Sequence, residues 1–82
     1  LSRNFFASPI SDLKNILDEA GGNMQNIVKM TTLLTHYDYI ETYRGVRDEF
    51  FQEPYPPNTL IIVESLALPD FMVEIEAVAV LD

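Results

Sequence analysis

Pro56-Pro57-Asn58-Thr59-Leu60-Ile61-Ile62-Val63, then Leu68-Pro69, then Phe71-Met72-Val73-Glu74-Ile75-Glu76-Ala77-Val78-Ala79-Val80: the reading of this 82-residue chain turns on these two runs. Each is too short and too rich in Val and Ile to prefer a helix, so each reads as a strand. With the turn-forming Pro69-Asp70 between them they read as a pair of neighbouring strands. Along the second run Phe71, Val73, Ile75, Ala77, Ala79 and Leu81 point one way and Met72, Glu74, Glu76, Val78 and Val80 the other, because side chains alternate along a strand. The first set is wholly apolar. The second carries two carboxylates flanked by Met72 and Val78, and charge in apolar company asks for a role beyond solubility.

Working outward, Ile27-Val28-Lys29-Met30-Thr31-Thr32-Leu33-Leu34 is rich in β-branched residues and bounded by turn formers, which predicts a strand over 26–35 with apolar residues on both faces. Ahead of it, Ile10, Leu13, Leu17 and Ala20 recur at helical spacing, with Ile16 widening the stripe. Ser8-Pro9 reads as the start of that helix, Ser as the cap and Pro at the first helical position. Gly21-Gly22 reads as its end. Residues 1–7, including Phe5-Phe6, read as a lead-in. After the strand, Asp38 and Glu41 have the spacing of a capping box, worth about 1 kcal/mol where one forms. Ile40, Tyr43, Val46 and Phe50 then mark a second helix that stops before Pro54.

The predicted order is α, β, α, β, β, an α+β domain occupying 1–82 without a linker or repeat. Two amphipathic helices cover one face of a three-stranded sheet, and the other apolar face needs a different cover. A domain of this size buries only about two-thirds of the surface its unfolded chain exposes, which also points to a partner.

Five Lys and Arg against thirteen Asp and Glu give a net charge of −8. That charge repels phosphate backbones, so nucleic acid is not an expected partner. With no cysteine and one histidine, His36, the chain has no disulfide, no thiolate chemistry and no His-rich metal cluster, so neither cofactor nor metal is expected. No apolar run approaches the length of a membrane span, and no basic segment leads into an apolar one, which fits a cytosolic or organelle-matrix protein.

The order Pro-Pro-x-Thr, aliphatic strand, Leu-x-Leu-Pro, Val-Glu-Ile-Glu-Ala-x-Ala resembles the C-terminal signature of the RidA (YjgF/YER057c/UK114) family. The likeness runs back through Asp12-Leu13-Lys14-Asn15-Ile16-Leu17-Asp18-Glu19-Ala20-Gly21 to about Ile10. It implies a chorismate-mutase-like fold with both helices on one face of a mixed sheet, the other face closing a barrel-like core at the centre of a homotrimer. It also implies enamine and imine deaminase chemistry on small metabolites in a cleft between subunits. The family's N-terminal strands, with their Gly-Pro-Tyr and Ser-Gly-Gln motifs, have no counterpart before Ser8.

The same resemblance nominates site residues. Glu74 falls where the family has a glutamate that positions water or moves a proton at the substrate imine. Half-buried beside Met72 and Val78 with Glu76 close by, at least one of the two carboxyls is expected to titrate high. Otherwise both accept structural hydrogen bonds, or pair with Lys29 or with an arginine across a subunit boundary. Asn58 stands where the family's deaminases carry the arginine that grips the substrate carboxylate. It either lines the cleft with Thr59 or serves as a loop residue before a strand. Arg44 and Arg47, three apart on the second helix, form either a relocated anion site or exposed pairs with Glu41, Asp48 or Glu53. Tyr37, Tyr39, Tyr43 and Tyr55 read as packing or interface residues, and His36 as a loop residue. The functional expectation is a RidA-like protein acting on small imines or enamines, or, with its arginine anchor lost, a non-catalytic trimer that binds a small metabolite.

Overall fold

A computed structural model describes residues 4–81. Helix α1 spans Asn4–Glu19, strand β1 Ile27–Leu34, helix α2 Ile40–Phe50, strand β2 Asn58–Ile62 and strand β3 Val73–Ala79. Short 3-10 turns at Met24–Asn26 and Tyr37–Tyr39 lead into β1 and α2.

Helix α1 begins before the predicted Ser8-Pro9 start and runs through Pro9. Proline has no N–H to offer the carbonyl one turn back, so Pro9 costs the helix a bond. Burial of Phe6 outweighs that loss. Phe6 and Ile10 are fully buried, Leu17 nearly so, and with half-buried Leu13 they make one stripe at helical spacing. The Phe6 ring meets Tyr39 at 5.8 Å between centroids. Phe5-Phe6 is therefore part of the helix rather than a lead-in, and the outward position of Phe5 hid the pattern. Ile16 faces solvent, not the stripe, and Ala20 already belongs to the turn that follows. The helix ends as expected at the glycines: Gly21 adopts φ +84°, Gly22 N–H donates to Leu17 O at 2.9 Å and Gly21 N–H to Asp18 O at 3.2 Å, the paired bonds of a Schellman cap.

The two C-terminal strands are not neighbours. The sheet order is β2-β1-β3, with β1 between a parallel partner, β2, and an antiparallel one, β3. A parallel pair needs a crossover, which α2 supplies between β1 and β2. Residues 63–72 then carry the chain past the end of β1 to its other edge, a longer path than a hairpin turn takes. Valine 28 is a bulge in β1, so Ile27 and Met30 are both buried although three residues apart.

Met30, Thr32 and Leu34 of β1, Asn58 and Leu60 of β2, and Val73, Ile75 and Ala77 of β3 share one face by register, and both helices lie over it. Tyr43 and Val46 of α2 complete the core as the helical spacing requires. The cap of the second helical segment is not Asp38: His36 Nδ1 accepts the Asp38 N–H at 3.0 Å, and α2 starts without a side-chain cap, its Ile40 N–H donating to Tyr37 O of the 3-10 turn. Asn26 ties the sheet's other end, its Nδ2 donating to Val80 O at 3.1 Å while its carbonyl accepts the Val80 N–H at 3.0 Å.

Candidate functional site

The opposite face of the sheet has no cover within the described residues. Register sets its rows: Lys29 beside Val78, then Thr59, Thr31 and Glu76 in line across the three strands, then Ile61, Leu33 and Glu74. Ile61 and Val78 are 42% and 52% exposed, far above what a core position shows. Glu74 and Glu76 are exposed as well, so the half-burial expected beside Met72 and Val78 is absent from the single chain.

Of the nominated residues, Thr59 and Glu74 reach this open face, in adjacent rows. Asn58 points the other way, under the helices, where it joins Thr32 and fully buried Tyr43. Thr32 Oγ1–H donates to Asn58 Oδ1 at 3.1 Å, and Asn58 Nδ2–H donates to the Tyr43 hydroxyl at 3.2 Å. Since the one hydroxyl proton of Thr32 is already directed at Asn58, the 2.8 Å contact between Thr32 and Tyr43 must be a donation from the Tyr43 O–H. The three side chains form a closed ring in which each donates once and accepts once. Such rings polarise in concert and are strengthened by the low dielectric around them. This ring links α2, β1 and the first residue of β2.

Arg44 and Arg47 remain on the helix layer. Arg47 holds Asp48 at 2.9 Å, one of the surface pairs expected, and its guanidinium lies 5.1 Å from the Tyr55 ring centroid. Arg44 is exposed on the same helix. A larger hollow of about 440 Å³ opens between the C-terminal ends of α1 and α2, lined by Lys14, Asp18, Phe50 and Phe51 among others, and it contains none of the nominated residues. Sequence reasoning missed the ring, although one signal was available: a tyrosine on the apolar stripe of a helix has a hydroxyl that must find a partner when buried.

Two helices laid on one face of a small mixed sheet, with the second face uncovered by the described residues, define an α+β protein of the RidA-like, chorismate-mutase-like type. The family model described as endoribonuclease L-PSP matches residues 6–81, and the chain belongs to that family, the one also called RidA or YjgF/YER057c/UK114. A RutC family protein of Pyrococcus abyssi is 35% identical over 71 residues, covering 85% of this chain and 54% of that protein. A 2-iminobutanoate/2-iminopropanoate deaminase of Dermatophagoides farinae is 26% identical over 72 residues, covering 88% of this chain and 56% of the relative. The chain thus spans a little over half the length of these curated relatives. Among solved structures, E. coli TdcF with bound serine superposes with a TM-score of 0.88 at 30% identity, covering 98% of this chain and 65% of that one.

Proposed function

We propose that this chain works as a RidA-like protein on small imines or enamines, in a cleft formed where the open sheet face meets other copies of the chain in a homotrimer. The observation that carries the reading is Glu74, an exposed carboxylate on the uncovered face, in a family with a relative named as an iminobutanoate deaminase. In imine hydrolysis water adds to the C=N carbon, a proton reaches the nitrogen, and ammonia leaves behind a ketone. Glu74 is the acid/base candidate, taking the proton from water and returning it to nitrogen. Thr59, one row away, offers a hydroxyl to the same ligand, and Arg44 and Arg47 stand in reserve as anion contacts supplied by the helix layer. Ile61, Leu33 and Val78 give association an apolar footing, and cover by a second copy is what would desolvate Glu74 and tune it for acid/base work.

A second reading is favoured by the orientation of Asn58. Its amide is engaged with Thr32 and Tyr43, leaving no charged anchor at the start of β2, so a cleft that binds a small metabolite without turning it over fits equally well. The serine bound to E. coli TdcF, a similar structure, supports a small metabolite as the ligand in this reading.

The deciding experiment supplies an imine generated in situ by an amino-acid oxidase and follows ammonia and ketone release, for the parent chain and for Glu74→Gln. Turnover lost in the variant supports the enzyme. No turnover, together with a metabolite that raises the melting temperature, supports the binder. A stable monomer at micromolar concentration would sink both, since each requires the cleft between copies.

A further inference from the structure

His36 lies two residues past the end of β1 and just before the Tyr37–Tyr39 turn that feeds α2. Its backbone is extended, with φ −151° and ψ 139°, and its Nδ1 accepts the Asp38 N–H at 3.0 Å. Thr35, immediately before it, is tied to the segment that follows β2, its N–H donating to Met72 O at 3.1 Å. The strand side of His36 is therefore anchored, and its ring is fastened to the turn. That ring lies 5.5 Å from the Tyr39 ring, and Tyr39 lies 5.8 Å from Phe6. Three rings thus run inward from solvent: His36 exposed, Tyr39 half-buried, Phe6 fully buried.

An asparagine or serine in the capping position accepts an N–H at any pH near neutrality. Imidazole differs, because Nδ1 accepts only while it carries no proton, so this bond requires the neutral ring with its hydrogen on Nε2. Histidine is also the side chain that ordinarily changes charge between pH 5 and 8. Once protonated, Nδ1–H and the Asp38 N–H confront each other as two donors, and the positive charge sits at the N-terminal end of a helix, where a cation is unfavourable. We infer that His36 is a proton-released latch on the start of α2: the neutral ring caps Asp38 and holds the Tyr37–Tyr39 turn closed, and the protonated ring lets that N–H go.

The released ring has Asp38 Oδ2 within 3.6 Å of Nδ1. Tyr37 and Tyr39 share the turn, Glu41 follows in the first turn of α2, and α1 meets the turn through apolar Phe6. With 59% and 81% of the His36 and Asp38 side chains exposed, water screens an imidazolium–carboxylate pair, which replaces little of what the cap supplied. Because the cap bond selects the neutral ring, the turn is firm on the alkaline side of histidine's titration and looser on the acidic side. Tyr39 passes the change inward, since it sits in the released turn and touches Phe6 of α1.

The test is NMR of the full chain labelled with nitrogen-15, between pH 8 and pH 5, above the ordinary range of carboxylate titration. At pH 8 a coupling across the hydrogen bond should join the Asp38 amide nitrogen to His36 Nδ1. At pH 5 that coupling should be gone, and the Asp38 amide, corrected for the intrinsic pH dependence of exchange, should be about fivefold less protected, the equivalent of one cap of ordinary strength. Tyr39 ring signals should move with the same midpoint. His36→Asn keeps an acceptor that gains no proton, and should leave Asp38 equally protected at both ends of the range. His36→Ala should leave it unprotected at both. A parent chain whose coupling and protection are the same at pH 8 and pH 5 overturns the latch. A transition that survives in His36→Asn assigns the change to a carboxyl and overturns it too, as does full protection of Asp38 in His36→Ala.

Discussion

On the inward face of the sheet Met30, Thr32, Leu34 and Val73 are buried beneath two helices, while one residue along the same strands Thr31, Leu33, Glu74 and Val78 stand half or fully exposed. The inward face closes its own accounts: the described residues contain no buried side-chain nitrogen or oxygen without a partner, and its polar groups complete a hydrogen-bonded ring. Among the described residues, the outward face leaves Lys29, Glu74 and Glu76 without ion pairs and Ile61 and Val78 exposed. Folding of the single chain is thus a matter of the first face, and association and ligand binding are matters of the second. Because side chains alternate with period two, adjacent residues of one strand serve different purposes.

The largest expected effect falls on the inward face. Phe6→Ala should cost about 3–5 kcal/mol in urea unfolding, a large share of the roughly 5–15 kcal/mol available to a domain. A cost near zero would remove Phe6 from the core and with it the extension of α1 past Pro9. Next, Tyr43→Phe should cost about 1–3 kcal/mol, since Thr32 and Asn58 each lose a partner in a buried setting. A Thr32→Val/Tyr43→Phe double-mutant cycle should show coupling between the two sites, and strict additivity would mean that the ring does not form. Gly21→Ala should cost about 1 kcal/mol because an L side chain resists the positive φ of the helix cap. The smallest effect on chain stability belongs to the outward face: Leu33→Asp should change the unfolding free energy by no more than about 0.5 kcal/mol, yet abolish self-association in sedimentation. A variant that still assembles would break the contrast between the two faces.

The element types and most of their positions were legible without coordinates. The Val73/Ile75/Ala77 side of β3 and the Tyr43/Val46 stripe of α2 follow from periodicity alone, and the Gly21-Gly22 stop follows from backbone freedom. The candidate site was legible only in part. Alternation put Glu74 and Glu76 on one face, and a resemblance to known relatives nominated Asn58, but nothing local said that Asn58 turns toward Tyr43, fifteen residues away in sequence. The Asp38/Glu41 box failed because His36 Nδ1 accepts the Asp38 N–H that the Glu41 side chain would have taken. Lys29 drew notice only as a partner for carboxylates, since its lack of an ion pair among the described residues depends on where the other described cations are held.

What the sequence by itself determined is which residues share a face, because the periods of helix and strand are properties of the local backbone. What only the tertiary structure decided is which strand lies in the middle, which face the helices cover and which polar groups remain unpaired. Those outcomes depend on non-local competition for β1. It has two edges and takes β2 on one and β3 on the other, and that choice separates Asn58 from Glu74 by the thickness of the sheet.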